Sequence, residues 1–249
     1  MKPERISILG VPVDAVDFES ALSWVESAIE QPGNKRIVAV NPEKVMAARK
    51  DAELMRFLHS SDLLIPDGIG VVIAARLLGL ARMSRVAGSD MMPAICGLAT
   101  KKGFSVFIYG SKPEVNEKAR AELIKNYPGL NIVGWSHGYV PEAEMEKLVQ
   151  RINQSGAQIL FVALGSPRQE KWLAKYGPKL LTARISQGIG GTLDTIVGTA
   201  KRAPVFWQKL NLEWLYRLIL EPKRVKRQKV LPLFALGVLK ARLEGVKRS

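Results

Sequence analysis

Asp67 heads the side chains that could do chemistry in this 249-residue chain. It follows Leu63-Leu64-Ile65-Pro66, which reads as a short buried strand, and it precedes Gly68, which opens an apolar segment over 69–78 that reads as a helix. An acidic group at a strand's carboxyl end, beside a helix start, sits where open α/β sheets bind ligands. Aspartate is also a preferred helix N-cap, so the local pattern leaves capping and catalysis both open. Asn41 ends a second strand, 36–40, in the same way and is followed by Pro42. If the two strands run parallel, Asn41 and Asp67 line one edge of the sheet.

Further polar and glycine-rich turns follow other predicted strands. Arg168-Gln169-Glu170 comes after the strand 158–164. Gln169 carries both donors and acceptors, which suits sugar hydroxyls, although such a charged triplet is commonly a solvated helix start. Gly190, Gly191 and Thr192 fall within Gly188-Ile189-Gly190-Gly191-Thr192-Leu193-Asp194, between a strand and a helix. Their backbone N–H groups could hold a phosphate, or the glycines could be purely steric. Gly110-Ser111 and Gly165-Ser166 are weaker turns of the same kind. Arg85, near Gly88, could pair with a diphosphate.

No metal site is expected. His59 and His137 are far apart, Cys96 is the lone cysteine, and there is no Asp-x-Asp pair. A serine hydrolase is poorly supported without a Gly-x-Ser-x-Gly elbow. No organic cofactor is implied. A diphosphate that no metal neutralises needs arginines, and the C-terminal region supplies Arg217, Arg224 and Arg227. Positions 217 and 224 share a helix face by their seven-residue spacing, given only a mild bend at Pro222.

The elements that must position these groups alternate. Strands are expected over 36–40, 63–65, 104–109, 131–135, 158–164 and 183–186, with helices over 18–30, 43–50, 52–59, 69–78, 91–100, 114–126, 142–153 and from 171. This rhythm argues a doubly wound, Rossmann-like, mostly parallel sheet over residues 1–200. Residues 201–249 differ. They carry 13 Lys/Arg against 3 Glu, a net of +10 out of the chain's +14. Leu212, Leu215, Tyr216 and Ile219 keep helical spacing, a basic run covers 223–229, and an apolar run covers 230–239. That makeup predicts a helical, basic appendage lying on an anionic membrane surface. No apolar run approaches the roughly 20 residues of a spanning helix, and the N-terminus lacks a signal peptide's long apolar core. A single cysteine fits a reducing compartment. These features fit a cytoplasmic chain whose tail lies on a membrane surface. The tail's apolar residues would meet lipid or a second copy of the chain.

Several stretches together resemble the WecG/TagA/CpsF glycosyltransferase family. They are Val40-Asn41-Pro42-Glu43-Lys44-Val45, Ile65-Pro66-Asp67-Gly68-Ile69-Gly70, Arg85-Val86-Ala87-Gly88-Ser89-Asp90, Ala163-Leu164-Gly165-Ser166-Pro167-Arg168-Gln169-Glu170, the 188–194 stretch, Arg202-Ala203-Pro204, and Leu212-Glu213-Trp214-Leu215-Tyr216-Arg217. The resemblance implies inverting, metal-independent transfer of a sugar from a UDP-sugar to a polyprenyl-diphosphate-linked saccharide, in cell-surface polysaccharide or wall teichoic acid synthesis. N-acetylmannosamine, its uronic acid and glucose all fit as donor sugars. It implies Asp67 as general base and Asn41, Arg85 and Gln169 as pocket residues, with tail arginines brought to the leaving diphosphate. One position departs: Ala39 stands where some members carry threonine, which removes a hydroxyl contact. Composition alone also admits a basic nucleic-acid-binding module or a non-catalytic nucleotide binder, though the cationic run lies beside an apolar helix and not in a recognition motif.

Overall fold

The computed structural model describes residues 3–200, 203–204, 206–207, 210, 212–220 and 225–245, without the side chains at 217, 226 and 227. Among the described residues eight strands are formed: β1 (Arg5–Ile8), β2 (Val11–Asp14), β3 (Lys35–Val40), β4 (Leu63–Pro66), β5 (Ser105–Gly110), β6 (Asn131–Ser136), β7 (Ile159–Ala163) and β8 (Ile185–Gly188). Between them run α1 (Phe18–Ile29), α2 (Pro42–Ala48), α3 (Ala52–His59), α4 (Ile69–Leu77), α5 (Gly88–Lys102), α6 (Pro113–Asn126), α7 (Met145–Gln154) and α8 (Arg168–Tyr176), with α9 (Thr192–Ile196) after β8. The helices Glu213–Leu220, Val225–Gln228 and Val230–Leu243 follow.

Six strands make one parallel sheet in the order β4-β3-β8-β7-β5-β6. The doubly wound α/β expectation holds. Strands buried on both faces read as near-continuous apolar runs, as Val-Phe-Ile-Tyr in β5 and Ile-Leu-Phe-Val in β7 do. Two apolar clusters cover the two faces. One gathers Val38, Val40, Phe107 and Tyr109 with α2, α3, α4, α7 and α8; the other gathers Ile37, Ile65, Ile108 and Phe161 with α1, α5, α6 and α9. The chain leaving β3 therefore turns toward the first face, and the chain leaving the adjacent β8 turns toward the second. A crevice opens between two such neighbours at their carboxyl ends.

β1 and β2 form a separate hairpin whose turn, Leu9 and Gly10, has positive φ at both positions (53° and 85°). Arg5 grips the buried Asp14 through two bonds of 2.7 and 2.9 Å, and Asp14 Oδ2 accepts the Leu64 N–H at 2.7 Å. The hairpin is thus pinned to β4, the strand that leads into Asp67.

Gly110 ends β5 at φ +125°, and a Cβ there would lie 2.3 Å from the Ala163 carbonyl oxygen. Close passage of β5 against β7 demands glycine, apart from any ligand. Gly110→Ala is expected to cost about 3 kcal/mol from strain and overpacking. In a chain of this size that lowers the thermal midpoint by about 6–12 °C. An unchanged melting curve would show that the two strand ends are not held this tightly.

Candidate active site

The carboxyl ends of β3 and β4 meet at one edge of the sheet. Val40 pairs with Pro66, and the Asp67 N–H donates to the Val40 carbonyl at 2.8 Å. Asn41 and Asp67 are therefore the next neighbours beyond the paired strands, as parallel strands require. The N-cap of α4 is Gly68, at φ +100° and ψ 137°, one residue past Asp67. This half-exposed aspartate accordingly does not hold the capping position that its sequence context also allowed. Glycines let the two turns touch: a Cβ on Gly68 would be 3.7 Å from Asn41 Cβ, and one on Gly70 would be 2.7 Å from Pro42 Cγ. Asn41 caps α2, its Oδ1 accepting the Lys44 N–H at 2.9 Å, so Nδ2 is the end that can meet a substrate.

Arg85 reaches the same edge, because the next residue, Val86, donates its N–H to the Pro66 carbonyl at 2.9 Å. Its Nη2 bonds Glu213 Oε2 at 2.8 Å. Glu213 opens the Glu213–Leu220 helix, so this ion pair brings the start of the tail to the site. A guanidinium has five N–H donors, and one carboxylate oxygen does not exhaust them.

Gln169 and Glu170 are buried in the first turn of α8, which begins at Arg168 and not at Lys171 as expected. They do not form a solvated helix start. Gln169 Oε1 accepts the Gly190 N–H at 2.9 Å, and its Nε2 donates to Glu170 Oε1 at 3.1 Å. Glu170 Oε1 also forms an ion pair with Lys44 Nζ. Burial pushes the Glu170 carboxyl up, but the Lys44 ammonium and the Gln169 amide together hold it below its ordinary value. Gly188 must be glycine, since a Cβ there would fall 2.5 Å from Gln169 Nε2. Lys44 was missed in the sequence: a lysine three residues after a helix cap reads as solvated.

The glycine turn is bonded inward. The Gly190 amide, expected to face a phosphate, is engaged by Gln169, and the Thr192 N–H donates to the Ile189 carbonyl at 3.1 Å. Thr192 is buried with its hydroxyl on the same carbonyl at 2.6 Å. Gly191 caps α9, which is only five residues long, and the Asp194 carbonyl accepts the Thr199 hydroxyl at 3.0 Å. Gly165, at φ +74°, makes the turn that starts α8. A cavity of about 40 Å³ lies beside it, lined by Ser111, Gly138, Tyr139, Leu164 and Arg168. A larger groove of about 630 Å³ opens elsewhere, beside the outer strand β6, and no candidate residue lines it.

Of the expected arginines, Arg224 lies outside the described residues, as do Pro222 and the side chains of Arg217 and Arg227. The Val230–Leu243 helix is described. It packs on α2 and α4, the helices that follow Asn41 and Gly68, and buries Phe234 and Val238 in the first apolar cluster. Leu233, Leu236, Leu239 and Leu243 stay exposed. Among the described residues no group of three or more His, Cys, Asp or Glu could hold a metal ion, and no helix is long and apolar enough to cross a membrane.

A parallel sheet that sets an acid and an amide side by side at its carboxyl ends has the architecture of an α/β enzyme that binds ligands there. Residues 6–248 match the Glycosyl transferase WecG/TagA/CpsF family, and the chain belongs to that family; it is a glycosyltransferase. It is similar to the N-acetylglucosaminyldiphosphoundecaprenol N-acetyl-beta-D-mannosaminyltransferase of Bacillus subtilis (strain 168), at 39% identity over 235 residues, covering 94% of this chain and 91% of that relative.

Proposed function

We propose that the protein transfers N-acetylmannosamine from its UDP derivative to a polyprenyl-diphosphate-linked N-acetylglucosamine, with inversion and without a metal. The observation that carries this reading is Asp67 beside Asn41 at the strand-end crevice, in a chain 39% identical to a transferase named for that sugar and that lipid-linked acceptor. Asp67 takes the acceptor hydroxyl's proton as the oxygen attacks the anomeric carbon, and the bond from that carbon to the UDP oxygen breaks on the opposite side. Arg85 and the tail arginines Arg217, Arg224 and Arg227 balance the charge that develops on UDP. Asn41 Nδ2 orients a sugar hydroxyl or carbonyl.

The exposed leucines at 233, 236 and 239, with Lys229, Lys240 and Arg242 on the same helix or at its ends, support docking on an anionic membrane face, where the lipid-linked acceptor resides. The C-terminal segment then acts as a membrane-associating appendage that completes the site on the inner leaflet. A panel of UDP-sugars with a short-chain polyprenyl-diphosphate N-acetylglucosamine, in EDTA, tests the whole reading. UDP-N-acetylmannosamine is expected to give a β-linked product at undiminished rate. Transfer from none of the donors, an α-linked product, or loss of rate in EDTA would each overturn the corresponding part.

A further inference from the structure

We propose that Glu170, with its charge balanced by Lys44, is a positioning residue that acts through Gln169 to hold the Gly190 turn in place across from the Asn41–Asp67 edge. The inference rests on the transferase reading above and assigns a task to two side chains that this reading leaves idle. The bonds form one continuous strut. Asn41 Oδ1 accepts the Lys44 N–H at 2.9 Å, Lys44 Nζ pairs with Glu170 Oε1, Gln169 Nε2 donates to that same oxygen at 3.1 Å, and Gln169 Oε1 accepts the Gly190 N–H at 2.9 Å. The strut starts at the end of β3, passes through the first turn of α8 after β7, and ends at the turn after β8. It thus ties together three strand ends around the crevice.

Stability alone does not account for it. Lys44 and Glu170 are 7% and 2% exposed, and desolvating both charges offsets much of their attraction. Glu170 Oε2 is also buried with no hydrogen-bond partner among the described residues, which is a further cost. Two apolar side chains of similar volume would hold the fold as well. What they would lack is a fixed acceptor for Gln169 Nε2, and without it the amide can turn and release Gly190. Reaction geometry between a base on one side of a crevice and a leaving group on the other is sensitive to such a shift.

Two charge-free double variants separate positioning from packing. Lys44→Met with Glu170→Leu removes the acceptor for Gln169; Lys44→Met with Glu170→Gln keeps an acceptor oxygen at position 170. At matched thermal midpoints, the Leu double is expected to lose at least about tenfold in kcat with KM for UDP-N-acetylmannosamine changed less than about threefold. The Gln double should stay within about threefold of wild type. Amide hydrogen exchange at Gly190 gives a readout independent of turnover: at least about tenfold faster in the Leu double and unchanged in the Gln double. Equal kcat in the two doubles, or equal exchange, would overturn the proposal. If neither double folds, Glu170→Gln against Glu170→Leu, each with Lys44 kept, decides it by the same two measurements. A wild-type protein that transfers nothing would refute the transferase reading, while exchange at Gly190 would still decide whether the strut exists.

Discussion

Asp67→Asn is expected to lower kcat about 10²–10⁴-fold, the range for loss of a positioned general base. It should leave the thermal midpoint and UDP affinity close to wild type. The backbone of residue 67 makes the hydrogen bond that joins the two turns, and that bond does not depend on the side chain. The α4 cap lies at Gly68, so the substitution removes no cap. Asparagine keeps the size of the side chain while removing its charge and its capacity to take a proton. Kinetics with saturating donor, alongside calorimetric titration of UDP, would check it. Near-normal turnover would remove Asp67 from the chemistry, and loss of UDP binding would make it a ligand contact instead.

Ending the chain after Ala200 is expected to abolish transfer and liposome binding together. The deletion removes Arg217, Arg224 and Arg227, the exposed leucine stripe, and Glu213, the partner of Arg85. It also strips Phe234 and Val238 from α2 and α4, whose burial contributes about 3–5 kcal/mol. Part of the effect is therefore structural. Replacing the three arginines with alanine isolates the rest, because Phe234, Val238 and the leucines remain. That triple variant should still sediment with vesicles yet transfer at least about 100-fold more slowly, as expected on losing donors to a developing oxyanion. A folded, fully active shortened chain would end the idea that the tail completes the site.

The parallel sheet and the pairing of Asn41 with Asp67 were legible in the sequence for a definite reason. A β-α rhythm implies parallel strands, and parallel strands put all their carboxyl ends on one edge. Two polar residues that each end an apolar strand must then share that edge. Strand order was not legible, since nothing local tells β8 to lie between β3 and β7. Lys44 and Glu170 were hidden for the same reason: they are 126 positions apart, and each alone looks like a charge on a helix's first turn. Gly110 resembled a ligand turn, but its glycine answers to the Ala163 carbonyl on another strand. The inward bonding of the Gly190 turn likewise depends on a glutamine 21 positions earlier.

The place of β8 has a consequence for how the molecule is made. Before residues 185–188 are synthesised, β4-β3 and β7-β5-β6 have no strand to join them. An emerging polypeptide would carry two separate sheet fragments with unpaired inner borders, open to mispairing. The last core strand is the keystone, and the crevice exists only once it is seated. A ribosome-bound product that stops short of it should be both inert and prone to aggregate, so competence for catalysis arrives late in translation and all at once.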